Sequence, residues 1–258
     1  MPGRSAEPGV IWTRPERATR GPRPSYSRGD IAAAGVRIAD AEGLEAVTMR
    51  RVAAELGCGT MSLYNYVPRK EDLHELMVDA VTGEYDLSRP PATDWYEGML
   101  DLAYRTRELM HRHPWQPGLM LTSPVHGFSP NGLRFLEYTL ICLDGLDLPY
   151  GAKLELIATV NGMVNTFVAN ELATAERTRS LPWSAEREQA VRGAYLARAV
   201  AGGEYPRLAA ALAKDSGPVD PDAAFDRVVR RLLGSFTSGA AEAEAEAAGQ
   251  GRPRPAMP

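Results

Sequence analysis

No run in this chain approaches the roughly 18 uninterrupted apolar residues that a membrane span needs, so a partner in the bilayer is not expected. The opening stretch, MPGRSAEPGVIWTRPERATRGPRPSYSRGD, lacks the apolar core of a secretory signal, and the expectation is a cytoplasmic protein. Cysteine is scarce. Cys58 and Cys142 are the two present. They match no metal-ligand spacing and read as small, semi-buried residues of a reducing compartment. Sustained apolar–polar alternation with hairpin-type turns is missing, which argues against a β-sheet. Missing too are a glycine-rich phosphate loop, a G-x-S-x-G elbow, an H-E-x-x-H pair and paired carboxylates in a glycine-bordered loop. An enzyme is therefore not expected, nor a cofactor, nor a bound metal. A strong charge of one sign is also lacking. A formal net charge of −4 does not by itself advertise nucleic-acid binding.

What remains is a helical pattern. With 258 residues, 44% of them hydrophobic, the chain can bury a sizeable core in one or two domains. Residues 1–26 hold arginines at positions 4, 14, 17, 20 and 23 and no useful apolar period, and are expected to be an unstructured arm. Ser27 followed by Asp30 predicts a capped helix whose apolar face is Ile31, Ala34, Val36 and Ile38. Thr48 caps MRRVAAEL, Gly57 stops it, a short helix runs from Thr60 to Tyr66, and Lys70 opens a longer one with Leu73, Leu76, Met77, Ala80 and Val81 at three-and-four spacing. The proline-rich joint SRPPAT separates this unit, 27–87, from a second, 93–237. In the second, Asp94 and Ser129 are helix caps and HRHPWQPGLMLTSPVHGFSP is an irregular link. Two apolar helices follow, around residues 151–176 and 221–237, with a polar loop and a further helix at 184–201 between them. The low-complexity tail, 238–258, is expected to be unstructured. The fold class is all-α: an N-terminal three-helix helix-turn-helix domain and a larger helical domain.

The stretch CGTMSLYNYVPRK, residues 58–70, carries an unusual density of hydrogen-bonding tips and ends in two cations. In a helix-turn-helix the second helix enters the major groove, and its early residues reach base edges. Ser, Thr and Asn suit bases or phosphates, tyrosine hydroxyls suit phosphate oxygens, and Lys and Arg supply charge. From Arg28 to Lys70 there are six Lys/Arg against five Asp/Glu. That modest excess does not count against binding, because helix N-termini also hold phosphate.

Residues 28 to about 80 resemble the DNA-binding domain of the TetR family of bacterial transcription regulators. The carriers are GLEAVTMRRVAAELG followed by SLYNYVPRKEDL. More loosely, DW at 94–95, HPW at 113–115, the helix near 131–145 and FDRVVRRLLGSF resemble the tetracycline-repressor branch. The resemblance implies a homodimer on a palindromic double-stranded operator, acting as a repressor that a small apolar effector releases. The alternatives are a ligand-independent or activating regulator or, last, an enzyme using the helical pocket. It assigns Thr48 and Lys70 to phosphates, Arg50 to a base or phosphate, Thr60, Met61 and Ser62 to the tip of the recognition helix, Tyr64 to a phosphate, and Asn65 and Tyr66 to bases or backbone. Arg69 stands where a small capping residue is usual, which leaves the local cap in doubt and offers a further phosphate contact.

For the second domain, Trp95, Leu102, Tyr104, Met110, Met120, Phe128, Tyr138, Asn161, Asn165 and Phe167 mix apolar surface with a few polar groups, as ligand pockets do. Asn161 and Asn165 lie four apart on an otherwise apolar helix, and a buried amide needs a partner. Leu154 and Ile157, with Phe225, Val228, Val229, Leu232 and Phe236, suit a four-helix dimer interface; the other reading of that stripe is the core of a single chain. His111, His113 and His126 do not fall into a metal-ligating pattern, and His113-Pro114-Trp115 reads as a structural turn.

Overall fold

The computed structural model describes residues 11–14, 26–122, 128–214 and 220–247. The remainder of the arginine-rich arm, His126 and residues 248–258 lie outside them. Eleven α-helices make up the described residues, with two short 3-10 turns and no strand. They are α1 (Arg28–Glu42), α2 (Met49–Glu55), α3 (Thr60–Tyr64), α4 (Lys70–Thr82), α5 (Trp95–Arg112), α6 (Gln116–Thr122), α7 (Pro130–Cys142), α8 (Tyr150–Ser180), α9 (Ala185–Ala201), α10 (Pro206–Leu212) and α11 (Pro221–Ala247).

Local sequence explains where they start. The Ser27 hydroxyl accepts from the Asp30 backbone N–H at 3.1 Å, and the Asp30 carboxylate accepts from Ser27 N–H at 2.7 Å, a reciprocal cap. Thr48, Asp94 and Ser129 each accept one orphan N–H of α2, α5 and α7. Gly57, with φ of +66°, supplies the left-handed residue that ends α2 and turns the chain towards α3. Gly35 lets α1 approach α4: a Cβ there would lie 2.8 Å from the Met77 sulfur.

Two apolar cores result. The first joins α1 to α4 through Ile31, Ile38, Val52, Leu63, Leu73 and Met77, all essentially inaccessible. The second joins α5, α7, α8 and α11 through Met99, Leu143, Leu156, Val164, Phe225 and Leu233. Arg107 locks its rim. It donates to Glu171 at 2.6 and 3.1 Å and to Asp222 at 2.7 Å, over the Phe225 ring at 4.8 Å.

Four features depart from the expectation. The arm is not wholly without structure: Ile11 is fully buried in the first core, in a 3-10 turn over Ile11–Thr13. The irregular link contains a helix, α6, and its Leu119, with Trp115 and Leu109 of the preceding residues, belongs to the first core. A short helix, α10, lies in the stretch before α11. The tail expected to be unstructured from 238 continues as α11 to Ala247.

The two cores are pinned to each other by polar contacts. His113 Nδ1 lies 2.9 Å from Asp40 of α1, and its Nε2 lies 3.2 Å from Glu84, just beyond α4. The Trp115 indole donates to the same Asp40 oxygen at 2.7 Å. At the N-terminus of α7, Asn131 donates from its backbone and its side chain to the buried Asp79 of α4. The turn expected at 113–115 is therefore also a crosslink between domains.

Candidate nucleic-acid interface

α2 and α3 form the helix-turn-helix, with α3 held by Leu63, which is fully buried, as is Val67 just beyond it. With those inside, the intervening residues face outward. Met61 is 78% exposed and Tyr64 43%; Ser62 and Asn65 are exposed, and Thr60 and Tyr66 are half-buried. Thr48 is exposed at the cap of α2.

The distribution of cations is the sharpest feature. Arg51 pairs with Glu42 at 2.8 Å and Glu55 at 3.0 Å, and Arg37 lies 3.6 Å from Glu55. Arg69 turns back onto Asp72 at 2.6 Å. Arg28 donates to the backbone carbonyls of Ile11, Arg14 and Tyr66. Four of the six cations between Arg28 and Lys70 are thus engaged within the chain. Arg50 and Lys70 are exposed and have no ion pair among the described residues. They stand in the first turns of α2 and α4, on either side of the recognition helix in sequence. Positive charge there adds to the partial charge of a helix N-terminus, and both favour phosphate.

The doubt over Arg69 has a structural answer. The Asp72 carboxylate accepts from the Arg69 backbone N–H at 3.2 Å and so caps α4 from inside the helix. The same carboxylate, fully buried, takes the Arg69 guanidinium and stands 3.6 Å from that of Arg14. Arg69 therefore serves the fold.

Sequence reasoning missed Tyr26. Its ring lies 5.2 Å from that of Tyr66, and its phenol bonds with Ser62 and Cys58. Desolvation first, then the Cys58 bond, raises its pKa above the ordinary phenol value. Together with Arg28 bonded to Tyr66 O, it braces both ends of α3. A lone Tyr before a capping box gave no periodic signal by which to find it.

In the helical domain the residues expected to line a ligand pocket are not gathered around one cavity. Trp95, Leu102, Tyr138 and Phe167 belong to or pack on the second core, whereas Met120 packs on the first. Phe128 is 74% exposed. Asn161 is half-buried, and Asn165 is buried, donating to Pro117 O at 3.4 Å. Tyr138 lines a cavity of about 300 Å3 with Arg105, Cys142 and the 89–92 joint. A groove of about 640 Å3 runs between the end of α8 and α9. The interface set also divides. Phe225, Val229 and Ile157 are buried within the chain's own core, while Val228 is 38% exposed and Leu154, Leu232 and Phe236 are half-covered. His111 lies 3.0 Å from Glu171 and His113 is held by two carboxylates, so both have protein partners. No cluster of metal-ligating side chains occurs among the described residues.

Residues 31–77 match the family model of bacterial regulatory proteins of the tetR family, and residues 87–246 match that of the tetracyclin repressor-like C-terminal domain. The HTH-type transcriptional repressor DrrR1 of Streptomyces coeruleorubidus is 33% identical over 213 residues, covering 81% of this chain and 77% of its own. An HTH-type transcriptional regulator of Saccharopolyspora erythraea is 29% identical over 234 residues, covering 90% and 93%. Among solved structures, the Streptomyces coelicolor protein ActR in complex with actinorhodin superposes with a TM-score of 0.70 at 24% identity, over 84% of this chain and 99% of that one.

Proposed function

Because the chain belongs to the TetR family of bacterial transcriptional regulators, we propose that it works as a homodimeric repressor that binds a palindromic operator and leaves it when a largely apolar effector enters the helical domain. The observation that carries the DNA-binding part is the unpaired pair Arg50 and Lys70, flanking a recognition helix whose tips point outward. A phosphate is what such a pair lacks. In this reading Thr48, Arg50, Tyr64 and Lys70 hold the backbone, and Thr60, Ser62 and Asn65 read bases.

Support for the dimer comes from apolar surface left uncovered. Val228, Leu232 and Phe236 of α11, with Leu154 of α8, form a row beside the buried one. α9 and α10 bury none of their residues, although Val191, Tyr195, Leu196, Leu208 and Leu212 are on them. Exposed apolar surface of this extent marks an interaction site, and a second copy covers it with fixed stoichiometry. Two helix-turn-helix units in a symmetric dimer would meet successive major grooves, roughly 34–36 Å apart. Support for an effector comes from the match to the tetracyclin repressor-like domain.

A gel shift on the DNA upstream of the chain's own gene, at stated salt, tests the proposal. The wild type should give a discrete shifted band. Arg50→Ala and Tyr64→Ala should each weaken it, by about tenfold for one lost charged contact, while sedimentation still reports a dimer. Unchanged binding in both variants would sink the assignment of this face.

A further inference from the structure

We infer that the effector is a neutral, largely apolar molecule bearing a hydroxyl or other hydrogen-bond donor, and that the amide oxygens of Gln116 and Asn165 receive it where α6 meets α8. This rests on the helical domain being an effector domain and deepens that reading. Gln116 is 5% exposed and Asn165 6%, and neither Gln116 Oε1 nor Asn165 Oδ1 has a hydrogen-bond partner among the described residues. The two belong to one seam. Asn165 Nδ2 donates to the carbonyl of Pro117, the residue after Gln116. That contact also fixes which way the amide faces. A carbonyl accepts only, so Asn165 must turn its NH2 towards Pro117 and its oxygen away.

In proteins generally, buried polar groups are nearly always paired, and an unpaired acceptor destabilises the fold that keeps it; Glu75 Oε2, on α4, is a further one here. Two of them at one seam, with apolar neighbours Val164, Val168, Trp115 and Leu119, specify the missing partner. It has apolar bulk, and it donates. An anion or an ether supplies no donor and leaves both oxygens as they were.

The position also links capture to the DNA-binding helices. Gln116 directly follows Trp115, and Trp115 and His113 both bond to Asp40 of α1. A ligand that pulls on Gln116 acts one residue from that crosslink.

The test uses the full-length protein without DNA. Two alcohols, 2-naphthol and 9-phenanthrol, are titrated calorimetrically against their methyl ethers, which keep the shape and lose the donor. Melting of the unliganded Gln116→Met and Asn165→Leu variants is followed in parallel. The wild type should bind at least one alcohol about tenfold more tightly than its ether, and Gln116→Met should abolish that preference. Unliganded Gln116→Met should melt above the wild type, because it deletes an unpaired acceptor. Equal affinity for alcohol and ether, no binding of either alcohol, or a lower melting point in Gln116→Met would each overturn the inference; the last would mean that the amide serves the fold. Because no DNA is present, a failed gel shift would unseat the operator reading and leave this titration standing.

Discussion

Helices α4 and α9 differ little in length, 13 and 17 residues, and both carry apolar side chains at helical spacing. Their fates are opposite. α4 buries Leu73, Leu76, Met77, Val78 and Val81, and it draws three carboxylates inside with them: Asp72, Glu75 and Asp79. α9 buries nothing, and its Tyr195 is 68% exposed. The contrast shows that apolar spacing predicts a helix but not what covers it. The cover for α4 is supplied by α1 through the glycine at 35, and two of the acids it buries are matched, Asp72 by Arg69 and Asp79 by Asn131, while Glu75 keeps one buried oxygen without a partner among the described residues. α9 finds no such cover among the described residues.

The comparison can be broken most forcefully at Leu73. Leu73→Ala should cost about 2–5 kcal/mol in urea unfolding, because the cavity lies in a closed core. Leu196→Ala on α9 should change the stability of the dissociated chain by less than about 0.5 kcal/mol. Comparable losses from the two would mean that α9 is covered within one chain. Next in size is Asp72→Ala, which removes both the cap of α4 and the partner of Arg69. A loss of about 2 kcal/mol is expected, visible as a lower urea midpoint at unchanged slope.

Glu75 sharpens the contrast in the other direction. Burial above all, then the neighbouring Asp72 charge, raises its pKa above the usual carboxylate value. The folded state therefore disfavours the ionised form, and stability from this group falls as pH rises above that usual value. Glu75→Gln should gain on the order of 1 kcal/mol at pH 7, and the gain should fade towards pH 4, where the wild-type carboxyl takes up its proton. A gain that grows on acidification would contradict the burial. The smallest effect concerns thiols. Burial pushes the Cys142 thiol up to about 11, so a thiol reagent at pH 8 should label the half-exposed Cys58 and reach Cys142 only on unfolding. Stability should then decline between pH 9 and 11, as the unfolded thiol ionises first.

Much of the architecture was readable beforehand, because caps act locally. Ser27, Thr48, Asp94 and Ser129 accept the N–H groups that their positions imply. The helix-turn-helix was readable for the same reason, with Gly57 marking its turn. Less accessible were features decided by distant neighbours. Arg50 and Arg51 are adjacent in sequence, yet only Arg51 finds Glu42 and Glu55. The α11 stripe divides by a rotation of one residue: Phe225, Val229 and Leu233 turn inward, and Val228, Leu232 and Phe236 lie beside them with surface to spare. α6 was obscured by Pro117 and Gly118, which read as breakers although proline suits the first turn of a helix. Ile11 had no periodic companions to reveal that it enters the core. The unpaired oxygen of Gln116 was invisible, since α6 packs on α8, whose Asn165 lies some fifty residues away.

The crosslink at Asp40 bears on how such regulators can be recombined. The proline-rich joint at 88–93 looks like the natural seam for grafting this DNA-reading head onto another sensor. Yet Leu109, Trp115 and Leu119 lie in the head's own core, and Asp40 and Glu84 hold His113 from below. A chimera cut at the joint would deprive the head of three apolar neighbours and leave two carboxylates facing a foreign surface. The transferable module therefore extends through α6. A hybrid that exchanges the segment up to residue 122 keeps both halves of the hinge together, whereas one cut at residue 90 must rebuild it.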